Sequence, residues 1–350
     1  MILNIKGEIM EKKVSIMLTC YNCEECIDEA IRSVVIQKMP FNWELLIGDD
    51  GSSDNTISII DGWIKRYPEN IRLFVMERDA NAKKDGKRAA RNRANLLEKA
   101  IGEYLIFLDG DDCFLGTEKI IKQVEVLDKP EYRDCSCVAH NILANDLSLN
   151  KKYPLTKEYI KEGRVNTKKY WKQLYFHTNT IMFRKECKEL MLNEKYRDYL
   201  NDNFITYIIL HYGKIYYLNE IWAQYNLAGN GLWTGKKTVY GCFRNMILYD
   251  LEIDIDKNLS KESFVRHLYD FRYIFANYSS EDRESVSPLV ENLSTELFHN
   301  TCLLYKLNDE LSKSEVLEVK KLKNKVRWVF NLNRICHVPY RVCQLILKRR

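Results

Sequence analysis

The chain has 350 residues, of which 46% are hydrophobic, so it can bury a large core and its length suggests about two domains. Its formal net charge of +5 comes from the carboxyl-terminal end, because residues 319–350 contain ten lysines or arginines and no acidic residue. No apolar stretch approaches the roughly 18 to 20 residues that a membrane-spanning helix needs. Eleven scattered cysteines and the lack of a signal peptide favour a reduced, cytoplasmic protein.

Short apolar runs alternate with helical patterns over the first third of the chain. The predicted strands are 14–18, 44–48, 71–76 and 103–108, and the predicted helices are 24–37, 54–66 and 88–100. This alternation predicts an α/β fold with a mainly parallel sheet and helices on both faces. Ligands of such sheets bind at the carboxyl ends of the strands, so functional residues are expected directly after the strands.

The pattern is less regular in the rest of the chain. It predicts a strand at 136–142, a hairpin at 145–153 and helices at 185–192 and 202–211, followed by helical spacing from 236 onward. The sequence therefore predicts an extension at 1–12, a domain at 13–235 and a helical region at 236–350. The domain would have two halves, 13–115 and 116–235.

Three polar clusters follow the first, second and fourth predicted strands: TCYN at 19–22, DDGSSD at 49–54 and DGDD at 109–112. The hydroxyl and ring of the first cluster suit a nucleobase and ribose. The three carboxylates of DGDD repel one another, and a divalent cation, Mn²⁺ or Mg²⁺, would offset that repulsion. A solvated turn that caps the next helix is the alternative, but the position after an apolar strand favours a metal site.

A basic segment, AKKDGKRAARN at 82–92, lies between the third strand and the next helix. A loop that carries Lys and Arg toward a diphosphate would have this composition. A solvated run of charge is the alternative for Lys83 and Lys84. Arg91, on the helix face, favours the functional interpretation.

Four segments in order and spacing, VSIMLTCYN, ELLIGDDGSSDNT, AARNRA and GEYLIFLDGDD, resemble the family-2 glycosyltransferases with the GT-A fold. The resemblance is close over 14–114 and looser to 235, through FHTNTIMFR, NDNF and YNLAGNGLW. It implies transfer of a sugar from a nucleotide-sugar donor, most often a UDP-sugar, to an acceptor hydroxyl with inversion at the anomeric carbon. It also implies an acceptor in capsule, O-antigen or another surface glycan.

The resemblance implies that 13–115 is the nucleotide-binding half and 116–235 the acceptor half, and it assigns residues to the nucleotide and to the metal. The nucleotide-binding residues that it implies, with Asp50 on the base, are Thr19, Tyr21, Asn22, Asp50, Arg91, Asp109 and Gly110. Asp109 and Asp111 form the DxD pair. Asp111 is expected to bind the Mn²⁺ or Mg²⁺ directly, and Asp109 to face the ribose or the metal.

The family's catalytic base is usually an acidic residue in an ED or DD pair that opens a helix. This chain has Asn201-Asp202 at that place, so Asp202 is the expected base, with Glu194 and Asp198 as substitutes. Capping of the helix by Asp202 is the alternative.

Three more residues fall where the family lines the acceptor and donor-sugar pocket. They are His177 and Asn179, and Trp233 as an aromatic lid. A structural role for the histidine and a core position for the tryptophan are the alternatives.

Residues 320–350 interleave lysine and arginine with apolar side chains, which suits an interfacial helix on anionic lipid. Such a helix would hold the protein on the inner face of the cell membrane, near a glycan or lipid-linked acceptor. Packing as protein or in a homo-oligomer is the alternative. No nucleic-acid-binding motif is present.

Two other functions stay open from the sequence. A sugar nucleotidyltransferase would share a related sheet, but its glycine-rich signature is missing near the first strand. A non-catalytic, membrane-associated scaffold would not need the three aspartates at 109, 111 and 202. Dinucleotide-binding and P-loop enzymes are disfavoured because neither glycine-rich motif occurs.

Overall fold

The computed structural model describes residues 13–78, 87–156, 160–165, 176–227 and 239–260, with isolated positions at 167, 170–171, 262–263, 270, 273–274 and 277. Trp233, Lys83, Lys84, the extension at 1–12 and the basic tail at 320–350 lie outside these ranges. All further statements concern the described residues.

The predicted alternation of strands and helices is confirmed in the first third of the chain. The elements there, in order, are β1 (Val14–Cys20), α1 (Ile27–Val35), β2 (Trp43–Asp49), α2 (Thr56–Arg66), β3 (Ile71–Val75), α3 (Arg88–Lys99) and β4 (Tyr104–Asp109). β1, β2 and β4 are apolar runs because both of their faces are covered, and Ile16, Ile47 and Ile106 have no exposed surface.

The following elements complete the sheet and add helices. They are β5 (Cys113–Phe114), α4 (Lys119–Leu127), β6 (Cys135–Asp146), β7 (Lys151–Pro154), β8 (Gly163–Val165), β9 (Met182–Arg184), α5 (Cys187–Met191), α6 (Asp202–Tyr212) and β10 (Lys214–Leu227). The predicted hairpin at 145–153 is formed by β6 and β7, which pair antiparallel.

One sheet contains the ten described strands, in the order β3-β2-β1-β4-β9-β6-β10-β5, with β7 on β6 and β8 on β10. The first four strands are parallel. β9 is antiparallel to both β4 and β6, and β10 is parallel to β6. Consequently β1, β2, β4, β6 and β10 all end at the same edge, and that edge carries the polar clusters.

The chain divides into two compact units, Met1–Thr234 and Gly235–Arg350. The main described element of the second unit is α7 (Val239–Ile255). Across the described ranges, no helix combines the length and apolar character needed to cross a bilayer.

Candidate functional site

The loops after β1 and β2 are bonded to each other. Asn22 has a left-handed backbone (φ 49°), its N–H donates to Ser52 Oγ (2.8 Å), and its Oδ1 accepts from the N–H of Ser53 (2.9 Å). Beside it, Tyr21 is 42% exposed, and the Arg78 guanidinium lies 3.5 Å from the centre of its ring. Asn22 therefore joins the two loops, and Tyr21 presents a ring at the edge of the sheet.

Asp50, expected on the base, is bound by two arginines. Its Oδ2 accepts from Arg78 Nη2 (2.8 Å), and its Oδ1 accepts from Arg88 Nε (2.8 Å). Arg91, expected to support the nucleotide, instead pairs with Asp198, with 3.0 Å between Nη2 and Oδ2. Two guanidinium groups therefore hold the Asp50 carboxylate in place at the edge of the sheet.

Asp109 ends β4 directly opposite Thr19 of β1. Its carboxylate accepts from Thr19 Oγ1 (2.8 Å) and from Arg93 Nη2, at 3.1 Å for each oxygen. Burial alone would raise the pKa of Asp109, but the Arg93 charge and these hydrogen bonds hold it below its usual value. The next residue must be Gly110, because an added Cβ would lie 2.8 Å from the Cβ of Cys20.

Asp112 is buried and held in place by two amides. Its Oδ1 accepts from the backbone N–H of Asn226 (3.0 Å), and its Oδ2 accepts from Asn179 Nδ2 (3.0 Å). Burial, followed by the charges of Asp111 and Asp109, raises the pKa of Asp112 well above its usual value. The two hydrogen bonds therefore hold the carboxyl group of Asp112 close to those of Asp111 and Asp109.

Asp109, Asp111 and Asp112, which we call the acidic cluster, provide the oxygen ligands that a hard divalent cation requires. Ligand atoms of Asp109, Asp112 and His177 lie within 4.8 Å of one another. Asp111, expected to be the direct ligand, is not in this group. Loss of hydration, followed by repulsion from the charge of Asp109, raises the pKa of Asp111 above its usual value. A bound cation would relieve this repulsion, so the residues present fit Mn²⁺ or Mg²⁺.

Asp202, the expected base, is joined to this cluster by two side chains. Its Oδ1 lies 3.2 Å from Arg93 Nη1, and its Oδ2 lies 3.6 Å from His177 Nε2. The helix cap is supplied by Asn201, whose side chain accepts from the N–H of Phe204 (2.9 Å). The capping alternative for Asp202 is therefore wrong, and its carboxylate faces the acidic cluster.

Arg93 is a site residue that the sequence analysis missed. Its side chain is 10% exposed and pairs with both Asp109 and Asp202. A signal was present, because Arg93 falls on the buried face of α3 with Ala90 and Leu97. An arginine on the apolar face of a helix requires an anionic partner.

The remaining predicted residues lie in different surroundings. His177 packs on the ring of Tyr225, with 4.6 Å between the ring centres. Asn179 is fully buried beside Asp112, as described above. Of the substitutes for the base, Glu194 is exposed and Asp198 pairs with Arg91.

The parallel strands β1 to β4 and the carboxylates at their carboxyl ends define a GT-A fold. The crystal structure of S. aureus TarS 1-349 has the same architecture, with a TM-score of 0.59 at 17% sequence identity. The match covers 96% of this chain and 91% of that chain. The fold class predicted from the sequence is therefore confirmed.

The chain belongs to glycosyl transferase family 2, whose sequence profile matches residues 15–191, just over half of its length. EpsE of Bacillus subtilis strain 168 is 35% identical over 117 residues, which are 33% of this chain and 39% of EpsE. TuaG of the same strain, named as a teichuronic acid biosynthesis glycosyltransferase, is 27% identical over 241 residues. That match covers 67% of this chain and 88% of TuaG, so the chain spans most of TuaG but less than half of EpsE.

Proposed function

We propose that the protein is an inverting glycosyltransferase that moves a sugar from a UDP-sugar to an acceptor hydroxyl. The observation that carries this proposal is the position of Asp202, held by Arg93 and His177 beside the DxD carboxylates. TarS of S. aureus has been crystallised with UDP and with UDP-GlcNAc, which supports a UDP-sugar donor. The name of TuaG supports a surface glycan as the acceptor.

In the proposed reaction, Asp202 removes the proton of the acceptor hydroxyl as its oxygen attacks the anomeric carbon. The bond from that carbon to the diphosphate oxygen breaks on the opposite face, which inverts the configuration. Tyr21 and Asp50 would bind the uridine, and Arg88 would face the phosphates. A divalent cation held by Asp111 and Asp109 would offset the charge of the departing diphosphate.

Nucleotide binding can be measured before the acceptor is known. UDP should raise the melting temperature in the presence of Mn²⁺, because a ligand of the folded state stabilises it. Asp111→Asn should abolish the Mn²⁺-dependent part of this shift, whereas Asp61→Asn, at an exposed position of α2, should keep it. Absence of a shift with UDP, GDP, CDP and ADP would instead support the non-catalytic scaffold.

The base assignment has its own test. Asp202→Asn should lower turnover of the UDP-sugar by roughly 10²- to 10⁴-fold, the usual contribution of a general base. The variant should keep the UDP-dependent shift in melting temperature, since its role is in the chemical step. Release of UDP from a panel of UDP-sugars is the measurement. Normal turnover in Asp202→Asn would reject the assignment.

Three further expectations remain proposals. We propose that 13–235 forms the catalytic domain, that Trp233 covers the acceptor sugar, and that residues 320–350 attach the chain to the inner face of the cell membrane. Removal of 320–350 should weaken binding to anionic vesicles. Unchanged binding of the shortened chain would exclude an essential role for the tail.

A further inference from the structure

The β6–β7 hairpin lies at the edge of the sheet that carries the acidic cluster. Leu105 of β4 and Cys137 of β6 both pair with Phe183, so they lie at the same level. β4 ends four residues after that level, at Asp109, whereas β6 continues for nine residues, to Asp146. At about 3.3 Å per residue, β6 is roughly 16 Å longer than β4 on this side, and β10 runs beside it to the same level, where Leu227 pairs with Asp146. The turn at 147–150 therefore lies just beyond the paired ends of β6 and β7.

The hairpin tip, residues 147–150, presents two leucines to solvent. Leu147 is 58% exposed and Leu149 is 69% exposed. The turn is held by Asp146, whose Oδ1 accepts from Ser148 Oγ (2.6 Å) and from the N–H of Leu149 (3.0 Å). The two apolar side chains are thus displayed by a hydrogen-bonded turn.

Positive charge follows the tip directly. Lys151 and Lys152 begin β7 and both are exposed, but Lys152 Nζ donates a hydrogen bond to Gln224 Oε1 (3.1 Å), so Lys151 is the lysine nearest the tip. Leucines at an exposed turn with positive charge behind them suit the boundary between lipid headgroups and acyl chains. We propose that the hairpin tip docks on an anionic lipid bilayer, with Leu147 and Leu149 inserted and Lys151 at the level of the phosphates.

The small apolar area favours a lipid surface over a protein partner. Two leucine side chains fall far short of the roughly 800 Å² that each partner buries in a stable protein interface. A bilayer requires no complementary shape, and burial of the exposed part of each leucine should strengthen binding about tenfold. Lys151 adds attraction to anionic headgroups.

Hydrogen bonds connect the outer end of β6, next to the hairpin tip, to the acidic cluster. Asn145 Nδ2 donates to Asn226 Oδ1 (2.8 Å), and the backbone N–H of Asn226 donates to Asp112 (3.0 Å). Docking of the tip would therefore turn this edge of the sheet toward the membrane. The inference rests on the proposed function, because an acceptor sugar carried by a lipid would be presented at that surface.

A matched pair of variants tests the docking. Leu147→Ser with Leu149→Ser should weaken binding of the full chain to phosphatidylglycerol–phosphatidylcholine vesicles by up to about 100-fold, the product of two leucines. Ile101→Ser is the control, because Ile101 is 64% exposed but precedes β4, at the opposite edge of the sheet. It should bind like the wild type.

Tryptophan fluorescence at the hairpin distinguishes docking of the tip from binding of the basic tail. The tail would bind the same vesicles on its own. The tryptophan added by Leu149→Trp should be quenched by brominated lipids. The tryptophan added by Ile101→Trp should not be quenched by them. Equal quenching of the two variants would overturn the proposal. The double serine variant should keep the UDP-dependent shift in melting temperature, so failure of docking and failure of the proposed function are distinguishable.

Discussion

Arg93 joins two carboxylates that are far apart in the sequence. Asp109 ends β4, Asp202 begins α6, and the guanidinium that pairs with both is 10% exposed. Loss of one partner from a buried ion pair leaves the other charges without compensation. Arg93 therefore contributes both to stability and to the relative position of the DxD carboxylate and the base.

Replacement of Arg93 should be far more costly than replacement of its neighbour on the same helix. We expect Arg93→Met to lower the free energy of unfolding by about 3 kcal/mol, because two partly buried carboxylates lose their shared cation. Arg91→Met should cost less than about 1 kcal/mol, since the Arg91 side chain is 43% exposed. Urea unfolding of both variants measures the difference, and equal costs would contradict the proposed role of Arg93.

The positions of site residues were predictable from the sequence where those residues lie at the ends of strands. Thr19 and Asp109 lie near the ends of neighbouring parallel strands, so their adjacency follows from the strand order, and 2.8 Å separates their side-chain oxygens. Arg78 and Arg88 were not predictable as partners of Asp50, because they lie in the connection between β3 and α3 and at the helix start, where no periodicity indicates a direction.

At the scale of elements, two neighbouring residues at the start of α6 have different roles: one caps the helix, and the other faces the acidic cluster. Asn201 accepts a hydrogen bond from the N–H of Phe204, and Asp202 is left to face Arg93 and His177. We expect Asn201→Ala to lower the free energy of unfolding by about 1 kcal/mol, whereas Asn201→Asp should retain the cap. Urea unfolding of the two variants is the test. Equal stability of Asn201→Ala and the wild type would show that the cap contributes nothing.

The first four strands were predictable because both faces are buried, which leaves continuous apolar runs in the sequence. β10 (Lys214–Leu227) was not, although it is the longest described strand. Its pairing with β6 shifts register between Lys214 and Ile215, between Leu218 and Ile221, and between Ile221 and Gln224. Such irregularities interrupt the two-residue alternation on which strand prediction depends.

At the scale of the whole molecule, stability depends on buried groups outside the acidic cluster. His140 of β6 is fully buried, and its Nδ1 lies 2.7 Å from the carbonyl oxygen of Asn141. Its Nε2 has no hydrogen-bond partner among the described residues. Burial, followed by the nearby charge of Lys119, lowers the pKa of His140 well below its usual value. The folded protein therefore holds this imidazole neutral.

This neutral histidine should make the protein less stable in mild acid. The unfolded chain protonates His140 near pH 6.5, whereas the folded chain does so only at lower pH. Below about pH 6.5 the unfolded state binds an additional proton, so the free energy of unfolding falls as the pH falls. Between pH 7.5 and 5.5 one such group accounts for on the order of 1 kcal/mol.

His140→Phe should remove this part of the pH dependence, while His211→Gln, at an exposed position, should retain it. Urea unfolding of the wild type and both variants at the two pH values measures the difference. Because Lys119 is present in all three proteins, its own titration contributes similarly to each. Parallel pH profiles for His140→Phe and the wild type would mean that His140 is protonated in the folded protein as readily as in the unfolded chain.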